Sequence, residues 1–157
     1  ITHFFNPPRY MKLVEIVPSK KTDANLIPPM AKFLEEVLGK GVVYAKDTPN
    51  FIANRIGVFG MMTVLDVARK LKLSVENVDA LTGPIIGRAK SATFRTADIV
   101  GLDTLAHVAN TAYEKCMEDE SRDIFKLPEY LQKSAWSLRQ WEYLWRLRCA
   151  SCAESCR

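Results

Sequence analysis

Two consecutive prolines, Pro7 and Pro8, separate two runs of strand-forming residues at the start of the chain, ITHFFNPPRYMKLVEIV. Proline fixes φ and has no N–H to give a ladder, so the chain must turn there. An antiparallel hairpin centred on Arg9 sets Phe5 opposite Leu13 and His3 opposite Glu15. Directly opposed residues on one face have Cβ atoms about 5 Å apart, within reach of a carboxylate–imidazole hydrogen bond. A slip of one residue would send the two groups to opposite faces. A lone hairpin is marginal in water and needs further strands or a helix to cover it. The opening therefore reads as cut from something longer.

Beyond the hairpin, Thr22 is placed to cap a helix running to about Leu38, with Gly39 or Gly41 ending it. Pro28 and Pro29 require that helix either to start at them or to kink. GVVYAK (41–46) reads as a short strand of the buried type, and DTPN (47–50) as a turn. Residues 51–73 contain no proline and are apolar almost all round, the pattern of a long helix buried between neighbours. Ser74 followed by acidic residues opens a short helix that ends at Gly83. GPIIGRAKSAT reads as an irregular loop. Two helical pieces follow, joined near Gly101, the second capped by Asp103 or Thr104. LPEYLQK begins another helix, with Pro128 at a tolerated first-turn position. No repeat or low-complexity linker interrupts the order, which is β–α–β first and helices afterwards.

A His–Glu pair across a hairpin is a general-base arrangement: the carboxylate fixes the tautomer and the other ring nitrogen faces a ligand. On spacing alone a second reading stands beside it, His3 packed among aromatics and Glu15 a solvated edge charge. Asn54, in the first turn of the long helix, is placed to donate to a ligand carbonyl or to the histidine near a positive helix end. An ordinary polar first-turn residue has the same position. No G-x-G-x-x-G follows a strand, and the glycines form no phosphate cradle.

The totals exclude some classes. With 22 basic and 18 acidic side chains in 157 residues, the net charge of +4 is too dispersed to argue for nucleic acid. Apolar content of 48% supports a real core, and no apolar run approaches the roughly 20 residues that span a bilayer. Cys116 stands alone in a thiol-poor body of intracellular type, while Cys149, Cys152 and Cys156 crowd the end.

THFFNPPRYMKLVEIV, LGKGVVYAKDTPNFIANRIG and IVGLDT, in that order and at that spacing, resemble the L-3-hydroxyacyl-CoA dehydrogenase family of fatty-acid β-oxidation over residues 1–133. The resemblance implies a mainly α chain with a small N-terminal α/β remnant. Residues 1–47 would be the last strands of a truncated NAD-binding Rossmann domain, 48–133 the all-helical C-terminal domain, and 134–157 a divergent tail. It implies NAD-dependent oxidation of an L-3-hydroxyacyl-CoA to the 3-ketoacyl-CoA. His3 would be the catalytic base that takes the 3-hydroxyl proton as hydride passes to NAD, and Glu15 its orienting carboxylate. Asn54 would position the histidine and the substrate carbonyl, and Asn6 would lie near the nicotinamide end of the cofactor. No metal and no nucleic acid are expected. Acyl-CoA would enter from the helical side, and a homodimer would form through the helical domain. The expected place is inside the cell: cytoplasmic in a bacterium, otherwise mitochondrial or peroxisomal.

Departures from the family pattern matter as much. Its glycine-rich loop, ribose-reading acidic residue and active-site serine precede the matched residues and are not in this sequence, which implies that the chain is inactive alone. Asn50 stands where many relatives have glycine, and Asn tolerates left-handed φ nearly as well. LTGPIIGRAKSATFRTADIVGLDT resembles the larger members, some of which fuse a hydratase. In the tail, CxxCxxxC has no fourth ligand nearby and no histidine after it, so the text reads as an altered C-terminus, from a frame change or aberrant transcript; part of a metal or iron–sulfur site is the alternative. A different functional class also stands, a non-catalytic helical oligomerisation module driven by residues 51–73.

Overall fold

The structure, a computed structural model, describes residues 1–127. The expected helix at LPEYLQK from Pro128 onward, the tail 134–157 and its three cysteines lie outside the described residues. The chain divides into two compact units, residues 1–53 and 54 onward.

The first unit is built on a three-stranded sheet of order β1 (Thr2–Phe4), β2 (Leu13–Ile16) and β3 (Gly41–Tyr44). β1 and β2 pair antiparallel with Thr2 opposite Ile16, His3 opposite Glu15 and Phe4 opposite Val14. The expected register is the observed one, although the β1–β2 ladder stops at Phe4 opposite Val14 and does not include a Phe5–Leu13 pair, Leu13 pairing with Gly41. The Asn6–Pro7 peptide is cis, and the turn closes when Tyr10 and Met11 N–H both donate to Pro7 C=O. Lys40 Nζ clasps the same turn by donating to the carbonyls of Pro8 and Met11.

β2 is the centre of the sheet because its composition suits burial on both faces. Val14 and Ile16 point to one side, where Ala31 and Leu34 cover them. Alternation sends Glu15 to the other side, fully buried. β3 pairs parallel to β2, and the covering helix is the crossover such a pair needs. That crossover starts with Asp23, not Thr22. Thr22 Oγ1 is engaged by Ser19 N–H at 2.9 Å, while the Asp23 side chain accepts from Asn25 N–H. After one 3₁₀ turn, α1 (Ile27–Lys32) begins with the two prolines in its first turn, where a missing N–H costs nothing. A π turn over Phe33–Val37 follows, and Gly39 takes φ +61° to stop it. β3 is not of the buried type. It ends at Tyr44 and lies at the sheet's edge, with Tyr44 58% exposed.

The second unit is helical. α2 (Ala53–Leu71) buries Val58, Met62, Leu65 and Ala68, one stripe at three- and four-residue spacing. The expectation of burial on most faces is corrected: Ile56, Val67 and Leu71 are exposed. A helix buries only the stripe that its neighbours cover. α3 (Val75–Thr82) has the expected limits, Ser74 accepting from Asn77 N–H and Gly83 following its last residue. Within the expected loop, Pro84–Ile86 forms a 3₁₀ turn.

α4 (Phe94–Val100) is anchored by Asp79 of α3, whose carboxylate accepts from the N–H groups of Thr93, Phe94 and Arg95. α5 (Leu102–Lys115) starts at Gly101 with no side-chain cap, so neither Asp103 nor Thr104 caps it. Gly101, at φ +94° and ψ 126°, makes the bend that lets both helices stop and start there. α2, α3, α4 and α5 share one core, closed by Phe125. No described helix is long and apolar enough to cross a membrane.

Candidate active site

The central strand carries the chemistry. Glu15 Oε2 lies 2.7 Å from His3 Nδ1, and the carboxylate side chain is only 1% exposed against 24% for the imidazole. An ionised carboxylate can only accept, so a neutral ring that hydrogen-bonds to it does so through Nδ1–H and keeps its lone pair on Nε2. The other oxygen, Oε1, accepts from the backbone N–H groups of Ile52 at 3.0 Å and Ala53 at 2.9 Å. Those are unpaired donors at the start of α2, where a negative charge is favoured. One buried carboxylate therefore holds a histidine and a helix start together.

Two rings flank the imidazole, Phe5 with centroids 4.5 Å apart and Phe51 at 5.6 Å, both tilted. A turn leads into the site, with Phe51 N–H donating to Thr48 C=O at 3.1 Å. Asn50 and Phe51 both have left-handed backbones, at φ 63° and 49°. Asn50 thus adopts the left-handed conformation that asparagine tolerates.

His3 and Glu15 come together as the hairpin register required. Asn6 is exposed in the turn after β1. Asn54 is the second residue of α2, half-buried, and belongs to the second unit. Its neighbour Arg55 donates to Asp119 Oδ2 at 2.6 Å. That hydrogen bond holds the Asp119 carboxyl below the usual carboxylate range and raises the guanidinium. The residues that sequence reading missed are the amides of Ile52 and Ala53 and the two phenyl rings. Ile52, just before the helix, offers no side-chain acceptor, and that is the signal that one must come from elsewhere.

The profile of the 3-hydroxyacyl-CoA dehydrogenase NAD-binding domain matches residues 1–48, and that of the same enzymes' C-terminal domain matches residues 51–137. The chain belongs to the 3-hydroxyacyl-CoA dehydrogenase family. A probable 3-hydroxyacyl-CoA dehydrogenase of Bacillus subtilis is 56% identical over 130 residues, covering 83% of this chain and 16% of that protein. One of Deinococcus radiodurans is 51% identical over 118 residues, covering 75% and 34%. The chain thus spans about a sixth and a third of these dehydrogenases' lengths. The crystal structure of M. tuberculosis FadB2 superposes with a TM-score of 0.70 at 29% identity, over 84% of this chain and 45% of that one. The expected mainly helical fold with a small α/β part is the one observed.

For the dehydrogenase cofactor, the strand-to-helix connections are the places to look. The segments after β2 (17–23) and after β3 (45–52) contain no glycine. Gly39 and Gly41, the glycines of the first unit, stand with nothing within 4 Å of a built Cβ, so neither lines a close-fitting cradle. The described residues do not fit a dinucleotide pyrophosphate by themselves.

Proposed function

We propose that this chain supplies the proton-transfer centre of an NAD-dependent 3-hydroxyacyl-CoA dehydrogenase, which oxidises an L-3-hydroxyacyl-CoA to the 3-ketoacyl-CoA. The observation that carries the reading is the 2.7 Å contact between His3 Nδ1 and the buried Glu15 carboxylate. With Nδ1–H engaged, Nε2 is the base that takes the 3-hydroxyl proton, and Glu15 stabilises the imidazolium that results. Asn54 is assigned to the substrate carbonyl and Asn6 to the neighbourhood of the cofactor. NAD accepts the hydride in such enzymes, but these residues lack its pyrophosphate cradle, so the chain alone does not turn over.

Further parts of the reading are an acyl-CoA substrate and pairing of two chains through the helical unit. The protein works inside the cell, in the cytoplasm of a bacterium or otherwise in mitochondria or peroxisomes. In this reading residues 1–47 serve the cofactor side and 48–133 the acyl side.

NADH oxidation with acetoacetyl-CoA tests the reading on three proteins: this chain, a full-length relative, and that relative with its histidine aligned to His3 changed to alanine. The chain is expected to be silent and the relative active, with the alanine variant slower by about 10²–10⁴-fold. An alanine variant at the full rate would remove His3 from the chemistry. Turnover by the chain alone would place NAD within these residues.

A further inference from the structure

We propose that Asn50 and Phe51 are positioning residues for the His3–Glu15 pair and fix the imidazole's tautomer through the backbone. The inference deepens the acid–base reading of His3 and rests on it. Non-glycine residues with positive φ are uncommon, and a bulky aromatic there is an outlier whose surroundings must hold it in place. Here two occur in succession, at φ 63° and 49°, with only Ile52 between them and α2.

Their geometric effect is specific. The chain turns between Thr48 and Phe51, and the two amides that follow Phe51, those of Ile52 and Ala53, converge on a single oxygen, Glu15 Oε1, at 3.0 and 2.9 Å. With Oε1 engaged twice, the carboxylate cannot rotate, and Oε2 alone faces Nδ1 at 2.7 Å. Phe51 also acts through its side chain, since its ring lies 5.6 Å from the imidazole and limits the ring's tilt. One residue thus aims the carboxylate with its backbone and restrains the base with its phenyl group. Were the two left-handed conformations lost, the amides would turn away and Glu15 would no longer be held with one oxygen toward the histidine. The ring would then drift toward the Nε2–H form that an unconstrained histidine favours, and a protonated Nε2 cannot accept a proton.

The test is ¹⁵N NMR of the 157-residue chain labelled at histidine, at alkaline pH where the ring is neutral. Nδ1 and Nε2 resonances report the tautomer, and His107, exposed on α5, is an internal reference. Glu15→Gln supplies the opposite limit, because a side-chain amide can donate to Nδ1 and move the proton to Nε2. Wild type and Asn50→Gly are expected to hold Nδ1–H. Asn50→Val and Phe51→Ile, β-branched and averse to left-handed φ, are expected to shift the ratio at least about tenfold toward the Glu15→Gln limit. Folded variants with the wild-type tautomer would overturn the proposal while leaving the acid–base reading intact. If circular dichroism finds both unfolded, Asn50→Ala decides on the same criterion. A wild-type ring in the Nε2–H form would overturn both readings at once.

Discussion

Glu15 is the residue on which the site turns, because each of its oxygens has a different task. Its Oε2 lies against the imidazole Nδ1 and its Oε1 receives the amides at the start of a helix. Hydrogen bonds to a charged group contribute about 1.5–3 kcal/mol each, so neutralising this one acceptor is felt in stability as well as in chemistry. Glu15→Gln is expected to lower the chain's unfolding free energy by about 1–2 kcal/mol, read from urea midpoints. Introduced at the aligned position of a full-length relative, the same change is expected to cut kcat by up to about 10⁴-fold, the scale of a wrong tautomer. A midpoint and a kcat that both stayed put would mean that Glu15 fills space and nothing more. The pairing was legible in the sequence because a double proline and a one-residue alternation leave few registers that satisfy both. Its second task was not, since it joins residues far apart along the chain and leaves no local pattern.

At the scale of elements, capping chemistry separates what could be read from what could not. α3 has its expected ends because Ser74 and Gly83 act on their own neighbours. The side-chain cap expected at Thr22 moved to Asp23, on the 3₁₀ turn ahead of α1, because a competing turn engages Thr22, and Gly101 replaced Asp103 or Thr104 as the start of α5 through its positive φ. Both outcomes depend on backbone angles that residue type only biases. The apolar row of α2 misled for another reason: burial is decided by which neighbours arrive, and they arrive on one stripe.

The Arg55–Asp119 bridge joins α2 to the segment after α5. Asp119 has its pKa lowered by the Arg55 hydrogen bond, so the folded form binds its proton more weakly than the unfolded chain. Its stabilisation is present above the unfolded carboxylate value near about 4 and is lost as pH falls through the folded value. Arg55 is 40% exposed, and solvent screening limits the effect. Asp119→Asn is expected to cost about 0.5–1 kcal/mol at neutral pH. In thermal melts across pH, the gap to wild type should close in acid; a gap that persists there would assign the loss to packing.

For the molecule as a whole, the sheet's outer strand is the exposed liability. β3 is an edge among the described strands, and Val43 and Tyr44 are 38% and 58% exposed on it. Apolar edges of this kind template pairing with another chain. Light scattering is expected to find concentration-dependent association that Val43→Lys reduces, since a charge on an edge strand opposes pairing. Equal masses for the two proteins at every concentration would acquit the edge.

The contact between Glu15 and the amides of residues 52 and 53 also sets the smallest transplantable piece of this protein. The family's cofactor-domain match stops at residue 48, and a protein engineer would naturally cut there. Such a graft would carry the histidine and the glutamate into a new scaffold but leave behind the two residues whose amides engage the glutamate. The hydrogen-bonded unit around Glu15 is longer than the matched cofactor domain, and it ends inside the next helix's first turn.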